Sequence, residues 1–228
     1  RFHEWKKNGK QGLQLVPTPI CRKEVAAALL VSEQAHTLLP EIRGVVKCPV
    51  LLETDGELVV SQPGYNEDTR LFVDSKVIPA DVPLIEAIGA LRYDIMPDFN
   101  YQTYGDLCRA MASILTPALK MGGFIKGPCP IDVAEADQSQ SGKGYRQKLL
   151  AAFYGETPAV VTERRGGVGS MDETFNAQLV AGHPFIQFDN LKDHLNSPHL
   201  EAFMTCEGSF SCRVPYHKEV RVPRDNYF

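Results

Sequence analysis

The chain has 228 residues, a formal net charge of −4 and 43% hydrophobic residues. These values are typical of a globular protein with a buried core, and they argue against a disordered chain, a collagen-like chain and a small disulfide scaffold. The acidic balance argues against a uniformly basic nucleic-acid coat, although it is compatible with a local basic groove.

Targeting and redox features of the sequence are few. No stretch approaches the roughly 20 apolar residues that a membrane helix needs, so we expect no membrane partner. The sequence starts at Arg1 without a signal-peptide pattern, and we expect it to be a piece of a longer protein. The six cysteines suit neither a disulfide framework nor a zinc site, which predicts free thiols and a cytoplasmic protein.

The N-terminal part, residues 1–82, is predicted to be a small α+β accessory region. Apolar residues at helical spacing predict a helix over 25–39, which Pro40 ends. Short β-strands are predicted next, around 45–52, 58–60 and 71–73, and the intervening turns are Asp55-Gly56 and Pro63-Gly64-Tyr65-Asn66.

Residues 83–121 are predicted to be a helical linker. One helix is expected over 84–95 and a longer amphipathic helix over 104–121. Pro117 is expected to kink the longer helix or to end it early, because proline removes a backbone donor and clashes with the preceding turn.

From residue 122 the pattern changes to alternating strands and helices, which predicts an α/β core over 122–228. A capping box at Ser170 and Glu173 predicts the start of one helix. The predicted strands are 131–134, 159–162 and 185–189, the predicted helices are 145–153, 171–181 and 198–205, and a hairpin is predicted from 213–216 and 219–222.

The loop Asp137-Gln138-Ser139-Gln140-Ser141-Gly142-Lys143-Gly144 lies between a predicted strand and a predicted helix. In a P-loop, G-x-x-x-x-G-K-[ST], backbone N–H groups and the lysine bind the phosphates and the hydroxyl binds Mg²⁺. Gly142 and Lys143 fit this pattern. Asp137 replaces the first glycine and should repel phosphate, and Gly144 lacks the hydroxyl. A surface Gly-Lys-Gly turn explains the pattern about equally well.

The strand predicted over 185–189 ends in Asp189-Asn190. In P-loop ATPases an aspartate at the end of such a strand holds the Mg²⁺ shell. By itself, an apolar run that ends in Asp-Asn is also typical of a strand that meets a turn. The order strand, loop, helix, strand, helix, strand makes the pair of motifs more specific than either motif alone.

From about residue 38 to the end, the chain resembles the primase-associated, helicase-like P-loop ATPases of phages, plasmids and other mobile elements. The more specific matches are the Pro63-Gly64-Tyr65 turn and the Asp189-Asn190 strand end. Asn66 and Arg70 depart from the family's turn pattern. The other matching segments are 39–46, 48–51, Asp55-Gly56, Thr69-Arg70-Leu71, the loop at 137–144, 158–162, Glu173, Ser197-Pro198 and Arg213.

The resemblance implies an incomplete RecA/AAA-like nucleotide-binding core preceded by the accessory domain. It implies that Gln138, Ser139, Gln140, Ser141, Gly142, Lys143 and Gly144 bind ATP, with Lys143 on the phosphates and Asp189 on Mg²⁺. Asn190 would give polar support, and Glu173 or Glu163 would polarise the attacking water. Arg213 would sense the γ-phosphate across a subunit boundary of a homo-oligomeric ring.

Two basic segments are candidate DNA contacts. Arg164 and Arg165 lie in a loop after the second core strand, and His217 and Lys218 lie at the tip of the predicted hairpin. Cationic side chains there would bind the phosphates of DNA, in particular single-stranded DNA, in a salt-dependent manner. Solvated turns are the alternative interpretation of both segments.

The resemblance thus implies an ATP-dependent DNA helicase or translocase subunit in mobile-element replication, with ATP and Mg²⁺ as cofactors. The alternative is a non-catalytic replication module with a degenerate P-loop that binds DNA or a primase. A small-molecule kinase with a modified P-loop is a third hypothesis.

Overall fold

The computed structural model describes residues 2–7, 13–18, 21–138, 140–162, 169–189, 191, 195–213 and 219–228. The fold is mixed α/β, with small sheets and short helices. The chain divides into two units, Arg1–Glu41 and Ile42–Phe228. The domain boundaries at residues 82 and 121 stay a prediction.

The first unit contains a hairpin and two short helices. Strand β1 (Phe2–Lys7) pairs antiparallel with β2 (Leu13–Thr18). Helix α1 spans Lys23–Leu30, and α2 spans Glu33–His36. The prediction of one helix over 25–39 is wrong, because the Ser32 side chain accepts a hydrogen bond from Ala35 N and starts a new helix.

The second unit begins with small β-sheets. Strand β3 (Gly44–Val46) is parallel to β7 (Leu71–Val73), and β6 (Gly64–Tyr65) pairs antiparallel with β7. Strands β4 (Leu51–Thr54) and β5 (Glu57–Val60) form a hairpin. Its turn confirms the Asp55-Gly56 prediction, since the two residues have φ of 53° and 81°.

The helical segment that follows contains α3 (Leu84–Gly89), a π-helical turn (Ala90–Ile95), a 3₁₀ turn (Met96–Asp98) and α4 (Tyr104–Met121). Thr103 and Asp106 form a capping box at the start of α4. The predicted limits of α4 are confirmed. The helix predicted over 84–95 is present, but its second half is a π-helical turn.

Of the two effects predicted for Pro117, a kink or an early end of the helix, the early end is wrong, since α4 continues to Met121. The hydroxyl of Tyr154 lies against the helix at this point. It accepts a hydrogen bond from Ala118 N at 3.1 Å and donates one to the carbonyl of Ile114. A side chain from another element therefore satisfies backbone groups beside the proline, and this allows proline inside the helix.

The remaining helices and strands follow the predicted order. The helices are α5 (Lys143–Ala152), α6 (Met171–Ala181) and α7 (Pro198–Thr205), and the strands are β8 (Ala159–Thr162), β9 (Ile186–Asp189), β10 (Ser209–Cys212) and β11 (Val220–Pro223). Strand β10 ends before the predicted first hairpin strand, and residues 214–218 lie outside the described residues.

The prediction of a strand over 131–134 is wrong, since this segment is irregular. Val133 is 72% exposed, so the segment lacks the burial that a central strand needs. The carboxylate of Asp132 instead forms an ion pair with Arg146 of α5. Asp132, the polar residue within the apolar run 131–134, is therefore used in a tertiary ion pair.

Strands β8 and β9 are parallel, with Thr162 opposite Asp189 at their carboxyl ends. Phe188 of β9 packs on Phe175 of α6, with ring centroids 5.3 Å apart. The edge of β9 that is not paired with β8 forms hydrogen bonds with the last residue of the chain. Phe228 N donates to Pro184 O at 2.7 Å, and Ile186 N donates to Phe228 O at 2.9 Å. In the described part of the chain, no helix has the length and apolar character needed to cross a membrane.

Two hydrophobic clusters lie on this framework. One joins the small β-sheets to α4, α5 and the start of β9, and it includes Ile114, Leu150, Tyr154 and Phe185. The other joins β8 and α6 to α7 and the β10–β11 hairpin, and it includes Val161, Phe175, Leu179, Phe203 and Cys212. The β8–β9 pair is therefore packed between α5 and α6.

Candidate functional site

The loop before α5 ends in a left-handed residue. Gly142 precedes the helix with φ of 87°, a conformation that favours glycine. As glycine has no side chain, the residue at the N-cap position leaves the first N–H groups of α5 uncapped. Such groups, with the positive end of the helix dipole, attract anions.

Two contacts give the direction of α5 relative to β9. A Cβ atom built on Gly144 would lie 3.6 Å from Nε2 of Gln187. Just beyond the other end of α5, the ring of Tyr154 stacks on Phe185 with centroids 5.4 Å apart. The helix thus runs antiparallel to the strand, and its N-terminus lies toward the carboxyl end of β9. In open α/β sheets, this end of the strands is where ligands bind.

Asp189 lies on the α5 face of β9. Successive residues of a strand point to opposite faces, so Gln187 and Asp189 share the face that contacts Gly144. The contact of Phe188 with Phe175 of α6 places the alternate residues on the other face. The structure therefore brings the predicted Asp189 and the predicted loop to the same face and the same end of the sheet.

Lys143 is the first residue of α5 and is partly exposed. Its Nζ donates a hydrogen bond of 3.4 Å to the carbonyl oxygen of Gln138 at the other side of the loop. The ammonium group therefore lies across the mouth of the loop. A phosphate bound by the N–H groups of α5 would compete with this carbonyl for the same ammonium.

The departure from the P-loop pattern at Gly144 leaves room for a side chain. The 3.6 Å approach of a built Cβ to Gln187 is an ordinary van der Waals contact. The buried Oε1 of Gln187 has no hydrogen-bond partner among the described residues. A hydroxyl at position 144 would lie close to this amide.

Arg146 anchors α5 to its surroundings. Its Nη1 and Nη2 donate to the two carboxylate oxygens of Asp132 at 2.8 and 3.0 Å, and Nη2 also donates to Ser113 Oγ at 3.1 Å. Burial lowers the pKa of Arg146, but the hydrogen bonds and charge of Asp132 and a hydrogen bond with Tyr101 outweigh it and raise the pKa. The guanidinium therefore stays charged and holds the start of α5 in place.

Glu173, a predicted water-polarising acid, belongs to the start of α6. Its backbone N–H donates to Ser170 Oγ, which confirms the predicted N-cap, and its carboxylate accepts from Gly169 N at 2.5 Å. Helix α6 packs on the face of β9 opposite to α5. The carboxylate is thus engaged in helix capping on the other side of the sheet from Lys143.

Arg213 is exposed and follows β10 directly, next to the fully buried Cys212. An exposed arginine at the end of a hairpin strand is accessible to another molecule. The remaining candidate residues lie outside the described residues: Ser139, Asn190, Glu163, Arg164, Arg165, His217 and Lys218.

Three residues that position this site were not predicted from the sequence. Gln187 of β9 contacts the start of α5 at Gly144, and Phe99 lies 3.9 Å from the position of a Cβ on Gly142. Arg146, a residue of α5 itself, holds the helix start through Asp132. The signal for Gln187 was its place two residues before Asp189 on one strand face. The roles of Arg146 and Phe99 depend on partners distant in sequence, for which no local pattern exists.

A separate cleft of about 590 Å³ lies between the β4–β5 turn and the end of α4. It is lined by Arg43, Asp55, Asp68, Gly122 and Lys126, among others, and it contains none of the predicted site residues. Within the described ranges, no group of three or more His, Cys, Asp and Glu side chains is arranged to hold a metal ion. All six cysteines are free thiols.

Comparison with known proteins finds no protein-family model, no curated protein and no solved structure that matches this chain.

Proposed function

We propose that this chain is an ATP-binding subunit of the helicase or translocase type, which acts on DNA during replication of a mobile element. The observation that supports this most strongly is the approach of Gly144 to Gln187. It places the uncapped start of α5 and Lys143 on the same face and end of the sheet as Asp189. Phosphate-binding loops and acidic strand ends share one end of the sheet in P-loop enzymes; in those enzymes a strand also precedes the loop, whereas residues 131–134 are irregular here.

In this proposal the backbone N–H groups at the start of α5 hold the phosphates of ATP, and Lys143 turns from the Gln138 carbonyl to the phosphates. Mg²⁺ commonly uses one or two carboxylates together with phosphate oxygens, and Asp189 is the carboxylate on the correct face. The ion would neutralise charge on the phosphates during transfer. Position 144 supplies no hydroxyl, so water or Asp189 would replace this ligand.

Single-stranded DNA, a primase and other copies of the chain are the proposed partners, and the cytoplasm is the proposed location. Exposed Arg213 is the described residue that would contact a neighbouring subunit. Movement on DNA would follow from hydrolysis at such a subunit boundary.

The contacts of Lys143 and Glu173 favour a second candidate function. The ammonium of Lys143 is bonded to its own loop, and the Glu173 carboxylate caps α6. A chain in which both groups are used structurally would be a non-catalytic module that binds DNA or a primase. In this case the P-loop is degenerate and nucleotide does not bind.

Nucleotide titration tests the proposal. We expect Mg·ATP to bind to the wild-type chain, and Lys143→Ala to weaken binding at least about tenfold, because an ammonium–phosphate bond is lost. Lys148→Ala is the matched control, since Lys148 is an exposed lysine of the same helix. Calorimetry with ATP and MgCl₂ measures both variants.

Two results separate the candidate functions. Binding of ATP that is lost in Lys143→Ala and kept in Lys148→Ala supports the ATPase. Absence of ATP binding in the wild-type chain, with salt-dependent binding of a single-stranded oligonucleotide intact, contradicts it and supports the non-catalytic module.

A further inference from the structure

Three aromatic rings lie beside the loop that precedes α5. The rings of Phe99 and Tyr145 are stacked with centroids 6.2 Å apart and an interplanar angle of 29°, and Phe99 and Tyr101 are 6.2 Å apart. Ring atoms of Phe99 would lie 3.9 and 4.0 Å from a Cβ on Gly142. The pair Phe99–Tyr145 therefore lies directly against the glycine that ends the loop.

Tyr145 is 67% exposed, although it is stacked on Phe99. A tyrosine that served to fill a core would bury most of its ring, since aromatic rings contribute to stability mainly through buried area. Here one side of the ring contacts Phe99 and the remaining surface is open. This leaves an aromatic surface available next to the loop that carries Lys143.

The two stacked rings belong to segments that packing and hydrogen bonds hold in place. Phe99 and Tyr101 belong to one short segment, in which the Tyr101 hydroxyl donates a hydrogen bond to Met96 Sδ at 3.3 Å, and both Met96 and Tyr101 pack in the hydrophobic cluster with α4 and α5. Arg146 of α5 binds Asp132 and Ser113. The segment that carries Phe99 is thus held by the hydrophobic cluster and the start of α5 by the Arg146 contacts, so the stacked pair is preorganised.

We propose that Tyr145, supported by Phe99, stacks on the base of the nucleotide whose phosphates lie at the start of α5. This inference rests on the proposed function. A base lies one sugar beyond the α-phosphate, so a stacking ring must be close to the phosphate loop, as the ring of Tyr145 is. Each π-face stacks on any base, and no group of Phe99 can form hydrogen bonds with a base. Stacking on Tyr145 by itself therefore gives little discrimination between ATP and GTP.

The test compares two ligands that share phosphates but differ in the base. Calorimetry measures the binding of Mg·ATP and of inorganic tripolyphosphate to the wild-type chain, Tyr145→Ala and Tyr145→Phe. We expect Tyr145→Ala to weaken ATP binding at least about fivefold, as for the loss of one stacked base. Binding of tripolyphosphate should be unchanged, and Tyr145→Phe should bind both ligands as the wild type does.

Tyr104→Ala is the matched control, because Tyr104 is 66% exposed and also lies in the first turn of a helix. It should bind both ligands as the wild type does. Circular dichroism verifies that each variant is folded. Exposure of both rings makes loss of folding an unexpected outcome for either variant.

Three outcomes would overturn the inference. Equal loss of ATP and tripolyphosphate in Tyr145→Ala shows that the ring supports the loop rather than the base. Unchanged ATP binding in Tyr145→Ala shows that the ring does not contact the nucleotide. If the wild-type chain binds neither ATP nor tripolyphosphate, the proposed function fails with it, whereas the first two outcomes leave that function intact.

Discussion

Gly144 of α5 faces the side-chain amide of Gln187 in β9, and a Cβ on Gly144 would lie 3.6 Å from Nε2 of that amide. The contact brings the start of α5 to the strand that ends in Asp189. Position 144 corresponds to the Ser/Thr of the P-loop pattern. A side chain placed there would contact the amide of Gln187.

We predict that Gly144→Ser is tolerated and raises ATP hydrolysis severalfold. The site has room for the Cβ, serine is preferred to glycine inside a helix, and under the proposed function the added hydroxyl would supply the Mg²⁺ ligand that Gly144 lacks. Phosphate release measures the rate.

Gly142→Ser is the control for a serine in this loop. At φ of 87° it should reduce the free energy of unfolding by about 1–2 kcal/mol and should not raise the rate. A wild-type rate equal to that of Gly144→Ser would contradict this account.

We predict that Arg146→Ala reduces the free energy of unfolding by about 2–4 kcal/mol, because it leaves the Asp132 carboxylate without its partner. The Arg146 side chain is 13% exposed and that of Asp132 is 27% exposed, so solvent replaces the lost bonds poorly. Urea unfolding measures the change.

Arg109→Ala is the control for Arg146→Ala, since Arg109 also forms an ion pair with an aspartate, Asp106, but is 73% exposed. It should leave the unfolding midpoint unchanged. Similar losses in the two variants would show that the Asp132 contact does not stabilise the chain.

We predict that Tyr154→Phe reduces the free energy of unfolding by about 1–3 kcal/mol, since it removes the partner of Ala118 N and of the Ile114 carbonyl. Burial raises the pKa of Tyr154 to about 12, in agreement with a hydroxyl that stays neutral and donates. Thermal unfolding followed by circular dichroism measures the effect. Tyr93→Phe is the control, since Tyr93 is exposed, and it should not change the unfolding transition. No loss in Tyr154→Phe would mean that α4 closes its own hydrogen bonds around Pro117.

We predict that the chain loses stability as the pH rises from about 9 to about 11. Burial raises the pKa of the Cys48 thiol from 9.0 to about 11, with the Glu156 carboxylate as a second cause, and burial also raises the pKa of Cys212 to about 11. Since the folded state holds these thiols neutral, their contribution is complete below pH 9 and is lost as the pH rises through the folded-state pKa.

Urea unfolding at pH values between about 8 and 9.5 measures the onset of this loss while most tyrosines, whose usual pKa is about 10, stay neutral. The double variant Cys48→Ala, Cys212→Ala should show a smaller decrease with pH than the wild type, although its packing loss lowers stability at every pH. Cys108→Ala, which changes an exposed thiol, should keep the wild-type profile. An equal decrease in the wild type and the double variant would show that other groups govern alkaline unfolding.

Much of the local structure follows from the sequence alone. The Ser170 cap, the Ser197-Pro198 start of α7 and the Asp55-Gly56 turn each depend on atoms within a few residues of one another. Such signals can be recognised because capping and turn geometry are decided by neighbours in the chain. The loop with Lys143 and the strand end at Asp189 were predicted in the same way, as a motif and an apolar run.

The tertiary structure alone decided how these pieces meet. The contact of Gly144 with Gln187, the bonds of Arg146 to Asp132 and Ser113, and the stacking of Phe99 on Tyr145 join different segments. The hydroxyl of Tyr154 likewise supports α4 beside Pro117 from another helix's end. These relationships depend on how whole elements pack, and packing is set by the shape and burial of many residues together rather than by any short pattern.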